Sequence, residues 1–224
     1  MDTIYKGDLS TKAGRRNAWL DALFIDHAVL RILWTNFATV KAGRLYRSNH
    51  PTPGNLAAFT RKVGLKSLIN LRGQAKNGSD ALSRDAAAKL GLDFYDMALE
   101  SRGAPHKDRI LRLAEIFSTM RAPALIHCKS GADRAGLAAG LFILLEGGTV
   151  AEALKQLSLR FGDVKQAKTG ILDAFFLTYQ RDGEGRGKKF LDWVREDYSE
   201  DALRASFKSG ALAGFVTDKI LFRE

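Results

Sequence analysis

The chain has 224 residues, 46% of them hydrophobic, enough to bury a full core as one domain or as a domain with extensions. Lys and Arg number 35 against 25 Asp and Glu, a formal net charge of +10 that favours anionic partners, from phosphoproteins and inositol phosphates to anionic lipid headgroups and nucleic acid. A single cysteine excludes an intramolecular disulfide and a thiolate zinc cluster, and it suits a reducing compartment, expected to be the cytoplasm.

Residues 12–40 form the first patterned stretch. Lys12, Arg15 and Arg16 precede Trp19, Leu20, Leu23, Phe24, Leu30, Ile32, Leu33, Trp34 and Phe37, an amphipathic and strongly apolar series. Asp21, Asp26, His27 and Arg31 interrupt it, which makes it a poor spanning helix, and no signal-peptide cleavage pattern accompanies it. Helices packed on the core are the first expectation. An interfacial helix in peripheral contact with an anionic membrane is the second.

From about residue 43 strands and helices alternate. Strands are expected at 44–47, 66–71, 92–97 and 124–127, and helices between them at 55–63, 79–90 and 107–120. The second of these helices has Ser79 as its expected N-cap and Gly91 just past its end. Such alternation argues for a mostly parallel sheet covered on both faces. After residue 128 the pattern turns helical, at 132–146, 150–161, about 170–179, 188–197 and 200–207, with a glycine-rich charged turn at 181–187. The tail 211–222 repeats the apolar ambiguity of the N-terminal segment.

One stretch carries chemistry. His127-Cys128-Lys129-Ser130-Gly131-Ala132-Asp133-Arg134-Ala135-Gly136 sets the only cysteine six residues before an arginine, between a short β-compatible run and an alanine- and leucine-rich helical one. In a strand-loop-helix turn of this kind the loop amides and the first helical amides point at one spot. The helix dipole adds partial positive charge there, so a tetrahedral oxyanion is welcome. A helix N-terminus with Lys129 and Arg134 nearby favours the thiolate, the nucleophilic form of cysteine. Arg134 offers a planar fork for two phosphoryl oxygens, and Gly131 and Gly136 let the backbone curl without a Cβ in the way.

The arrangement H-C-x5-R-x-G resembles the signature loop of the cysteine-dependent protein tyrosine phosphatase superfamily, most closely its compact dual-specificity and lipid-phosphatase branches. The likeness runs from about residue 43 to residue 179. It implies a compact tyrosine-phosphatase-like α/β fold, with a central, mostly parallel sheet of four to five strands flanked by helices. The phosphatase domain would span 43–182, with an N-terminal helical extension at 1–42 packed on the core and a C-terminal helical extension at 183–224. It implies a two-step reaction: Cys128 takes the phosphoryl group as a thiophosphate ester, and water then releases it, with no cofactor. Lys129, Ser130, Gly131, Ala132, Ala135 and Gly136 would line the phosphate cradle.

A phosphatase of this type also needs an acid to protonate the leaving oxygen. Asp96, at the expected end of the third strand, lies thirty-two residues before Cys128, a separation similar to that in compact family members. Asp133 is its rival, since in some lipid-phosphatase branches the aspartate just before the signature arginine does this work; Glu100 and Asp108 are weaker candidates. The loop departs from the family at Ala135, where most members carry a Ser or Thr whose hydroxyl helps the thiolate leave, so breakdown of the phosphoenzyme should be slow unless Ser130 substitutes. His127 would orient the loop or be a satisfied buried ring. Gln166 and Lys168 fall roughly where relatives place a glutamine that positions water, and Arg72 ends a strand that points toward the same crevice.

His27, His50 and His106 share no metal-ligand spacing, so no metal is implied. Lys129 directly after the nucleophile resembles the loop of phosphoinositide phosphatases, although Ala132 stands where that loop carries a second lysine. A phosphorylated protein or an anionic lipid is the expected partner, and nucleic acid is not. Three alternatives stand beside the phosphatase: a phosphate-binding pseudophosphatase, an RNA 5′-triphosphatase supported only by charge, and a rhodanese-like sulfurtransferase.

Overall fold

A computed structural model describes residues 4–29, 34–100, 103–161 and 170–208. Five strands form one sheet: β1 (Ala38–Lys41), β2 (Leu45–Ser48), β3 (Ser67–Asn70), β4 (Asp93–Asp96) and β5 (Ala124–His127), in the spatial order β1-β2-β5-β3-β4. β1 runs antiparallel to β2, and the other pairs are parallel. β5 lies at the centre with all four residues buried, as an apolar run covered on both faces must be. Its side chains alternate: Leu125 joins a core with Leu56, Phe59, Leu68 and Leu92, whereas Ala124 and Ile126 join the larger core with Phe142, Phe175, Phe176 and Trp193 on the other face. In register, Ser48 and Asn70 flank His127. The loop after β5 therefore leaves the middle of the sheet at its C-terminal edge, where open α/β sheets hold ligands.

Helices α2 (Pro53–Val63) and α3 (Gly78–Lys89) cover one face, and α4 (Lys107–Thr119) and α5 (Asp133–Leu145) cover the other. A helical half follows in α6 (Val150–Leu154), α7 (Gly170–Asp182), α8 (Phe190–Glu196) and α9 (200–208). Local chemistry sets several ends. Thr52 caps α2 through Asn55 N with Pro53 in the first turn, and Gly64 ends it at φ +70°. The N-cap of α3 lies two residues earlier than expected, at Asn77 rather than Ser79, its side chain accepting from Asp80 N at 2.9 Å.

Two other expectations change. The run 150–161 is not one helix: α6 opens on a capping box between Thr149 and Glu152 but stops at Leu154, and a 3₁₀ turn at Leu159–Phe161 follows. The carbonyl of Gln156 is taken by the Arg47 guanidinium at 2.7 Å, which draws this segment toward the sheet. β1 lies inside the stretch 1–42 that reads as a helical extension, and its pairing with β2 makes it part of the sheet. Before it, α1 (Lys12–Leu20) continues as a π-helical turn over Asp21–Ile25 and packs on α3, with Ala18, Ala22, Ala28 and Leu82 as the shared core. Gly78 makes that approach close, since a Cβ there would sit 2.2 Å from the Ala18 carbonyl oxygen. The tail 211–222 lies outside the described residues. No helix among the described residues is long and apolar enough to cross a membrane.

Candidate active site

Cys128 is 2% exposed at the exit of β5, and its Sγ accepts a hydrogen bond from the Gly131 amide at 3.2 Å. The chain thus curls back on its own sulfur within three residues. Gly131 adopts φ +81°, and a Cβ there would meet Asn49 N at 2.7 Å and the Ser48 carbonyl carbon at 2.8 Å, so glycine is required. The helix α5 then begins at Asp133, aimed with its N-terminus at the same loop. Asp133 and Arg134 are half-buried in its first turn, Lys129 and Ser130 are exposed, and Ala132 and Gly136 are buried. Among the described residues no acceptor holds the Arg134 guanidinium, which leaves its donors available to an anion.

The loop is braced from behind by a residue that sequence reasoning missed. Arg47 on β2 has no exposed surface; its Nη2 donates to Gly131 O at 2.7 Å and Ala132 O at 3.2 Å, and its Nη1 donates to Gln156 O at 2.7 Å and Gln156 Oε1 at 2.9 Å. The Phe161 ring lies 3.8 Å from its Cζ. Asn36 is a second missed brace, donating through Nδ2 to Ser130 O at 3.2 Å and to Phe161 O at 2.9 Å. By turning the loop carbonyls outward to these donors, the fold leaves the loop amides facing inward. Behind the loop, Gly136 allows α5 to meet the segment after α6, where a Cβ would be 2.7 Å from Gln156 O. Ala135 is fully buried in the main core, and the Ser130 Oγ accepts from Ala132 N at 3.3 Å. His127 is fully buried, its ring 4.6 Å from that of His50 in an edge-on contact.

Arg72 is tied to the N-terminal segment. Its guanidinium makes a two-pronged pair with Asp26, at 2.7 and 2.8 Å, and its Nη1 lies 3.1 Å from His50 Nδ1. Lys129 reaches the same carboxylate at 3.5 Å. One carboxylate from outside the signature loop thus serves two cations at its rim. Asp96 is the last residue of β4, in register with Asn70, which is in turn in register with His127. Its Oδ1 accepts from Arg84 Nη2 at 2.7 Å and from Asn70 Nδ2 at 3.3 Å. Glu100 pairs with Arg109 at 3.0 Å. Gln166 and Lys168 lie outside the described residues. His106, Asp108 and Glu200 bring potential ligand atoms within 4.8 Å of one another, a juxtaposition invisible in sequence spacing; His106 Nδ1 is already 2.6 Å from Glu200 Oε2.

The geometry can be set beside known proteins. A family model described as DSP-PTPase phosphatase fused to NAD+ kinase matches residues 36–170, more than half of the chain. The chain is similar to Inositol diphosphatase DSP4 of Arabidopsis thaliana, 33% identical over 110 residues that make up 47% of this chain and 53% of that protein. It therefore spans about half the length of the curated relative it matches. Among solved structures it is similar to the catalytic core of the PP-IP phosphatase Siw14 of S. cerevisiae, crystallised with citrate, with a TM-score of 0.54 and 22% identity over 67% of this chain and 89% of that one. It is also similar to P. aeruginosa TpbA in complex with pTyr, with a TM-score of 0.50 and 17% identity over 78% and 91% of the two chains. At these identities the two structures establish the fold alone.

Proposed function

The chain belongs to the DSP-PTPase phosphatase family, and on that premise we propose that it is a phosphomonoester hydrolase working through a cysteinyl-phosphate on Cys128. The observation that carries the reading is the loop itself. A buried sulfur accepts an amide hydrogen bond at 3.2 Å inside a turn whose carbonyls are held outward by Arg47 and Asn36, with Arg134 on the helix that follows. That is an anion cradle with a nucleophile at its floor.

In the first step Cys128 Sγ attacks phosphorus, a P–S bond forms, and the bond from phosphorus to the leaving oxygen breaks. Arg134 and the loop amides bind the equatorial oxygens as charge redistributes. We assign the proton for the leaving oxygen to Asp133. Asp96 is held at the end of β4, its Oδ1 accepting from Arg84 at 2.7 Å and from Asn70 at 3.3 Å. Asp133 stands on the loop itself, beside Arg134. In the second step water attacks phosphorus, its proton passes to the Asp133 carboxylate, the P–S bond breaks, and the thiolate returns.

The proposed substrates are phosphate esters of proteins and of inositol or anionic lipids, a range that the phosphatase family and the inositol diphosphatase relative support. The cytoplasm remains the proposed compartment, where a lone reactive thiol stays reduced. The test is phosphate release by the wild type and by Cys128→Ser across an aryl phosphate, a phosphotyrosine peptide and phosphorylated inositols and lipids. Release that vanishes in the variant supports the reading and ranks the substrates. Release that survives in the variant, or no release from any of them, defeats it; the latter favours a phosphate-binding pseudophosphatase.

A further inference from the structure

We propose that the outer face of α1, with the π-helical turn that extends it, is a docking surface for an anionic phospholipid bilayer. The helix has two unlike faces. Ala18 and Ala22 look inward, into the core shared with α3. Lys12, Arg16, Trp19, Leu20 and Phe24 recur at three- and four-residue spacing on the opposite side, and all five are exposed. Phe24 is 63% exposed, and Val29, just past the turn, 51%. Of the seven large apolar side chains that are exposed among the described residues, six lie between Ile4 and Trp34, so exposed apolar bulk is gathered in this one segment.

Charge selects the partner. Lys12 and Arg16 open the same stripe that Trp19, Leu20 and Phe24 continue, and neither cation is in an ion pair among the described residues. The neighbouring acids are engaged elsewhere. Asp21 is buried, accepting from Ile4 N at 2.9 Å and from Gly78 N at 2.6 Å, and Asp26 is buried against Arg72. Asp8, ahead of the helix, folds back onto Ser10 at 2.7 Å, and Asp85 on α3 is held by Arg15 and Lys89. A stripe that is basic at one end and aromatic and aliphatic at the other matches a bilayer surface, where anionic headgroups lie over hydrocarbon and tryptophan settles at their boundary.

The same two aspartates hold the segment in place. Asp21 ties it to the start of α3, and Asp26 ties it to Arg72 and, at 3.5 Å, to Lys129 at the rim of the signature loop. The face is therefore formed before it meets lipid, and docking costs no folding. Docking needs neither Cys128 nor turnover, so it stands or fails apart from the phosphatase reading.

The experiment is flotation of the full-length protein with vesicles of phosphatidylcholine mixed with phosphatidylglycerol, against phosphatidylcholine alone. The wild type should float with the mixed vesicles, far less with phosphatidylcholine, and should be released by salt. In a Trp34→Phe background, brominated lipid should quench Trp19 and leave Trp193, 1% exposed, as the unquenched reference. Phe24→Ser, and separately Lys12→Glu with Arg16→Glu, should each weaken partitioning about tenfold or more, with thermal melts as the check on folding. If the reversed protein does not fold, Lys12→Gln with Arg16→Gln gives a smaller loss of the same sign. No partitioning of the wild type, or partitioning that both variants retain, would overturn the proposal. So would a lipid-free protein in which acrylamide cannot reach Trp19, since the face is then covered by the chain itself or by a second copy.

Discussion

A guanidinium with no exposed surface that spends its donors on four neutral oxygens is held for their geometry, and in Arg47 two of those oxygens belong to the catalytic loop. Removing it leaves buried carbonyls without a donor, each costing about 1–3 kcal/mol. Arg47→Met should lower unfolding stability by about 2–4 kcal/mol in denaturant titration and reduce kcat/KM on an aryl phosphate more than tenfold, since the loop amides lose their aim. Ala135 bears on the second step. Its methyl is buried at the start of α5, and the only hydroxyl on the loop, Ser130, is engaged with the Ala132 amide. Wild-type enzyme should give a burst of aryl alcohol followed by a slow steady state, and Ala135→Ser should raise the steady rate several-fold; a linear wild-type time course would contradict this. The acid is separable by leaving group. Asp133→Asn should lose most of its rate on alkyl phosphates and much less on aryl phosphates with good leaving groups, whereas Asp96→Asn should affect both alike through the Arg84 pair; the reverse pattern would move the role to Asp96. Cys128, Arg134 and the loop glycines were legible because they lie within ten residues of one another. Arg47, Asn36 and Asp26 were not, because their partners stand 84, 94 and 46 residues away and nothing local marks them.

Elements were legible where one periodicity ruled. β5 is buried on both faces and reads as an apolar run, and α4 has a clean amphipathic pattern, so β5 came out with its expected ends and α4 one residue short at its C-terminal end. β1 was hidden inside an aromatic and apolar stretch, and its alternation of half-buried and exposed residues over four positions is too short to stand out. α6 was overextended because the tertiary pull of Arg47 on Gln156 has no local signal. The docking of α1 on α3 has a pH handle. Arg15, and secondarily Lys89, hold the Asp85 carboxyl below its ordinary range. A depressed carboxyl contributes stability above its unfolded value near ~4 and loses it as pH falls through the folded value. Amide exchange in α1 should therefore rise below about pH 4, and Asp85→Asn should remove that step; identical profiles for the two proteins would rule out the pair as the clasp.

At the scale of the molecule, the sheet and its helical cover converge on one edge. Strand order brings β5 to the centre and α5 points its N-terminus at the loop, while the formal charge of +10 favours the approach of anions to the molecule as a whole, a pull that weakens with salt. The fold class was readable from alternation and the signature loop together, since each strand-to-helix unit carries its own pattern. How the N-terminal segment meets the rim was not, because Asp26 interrupts an apolar helix pattern and looks like a surface charge until Arg72 is brought beside it. The central claim is that the lone thiol carries the phosphoryl group. Wild-type protein quenched within the first turnover of a radiolabelled phosphate ester should carry label on the peptide containing Cys128, at close to one equivalent and absent from Cys128→Ser. Turnover without label, or label that persists in the variant, would contradict the account.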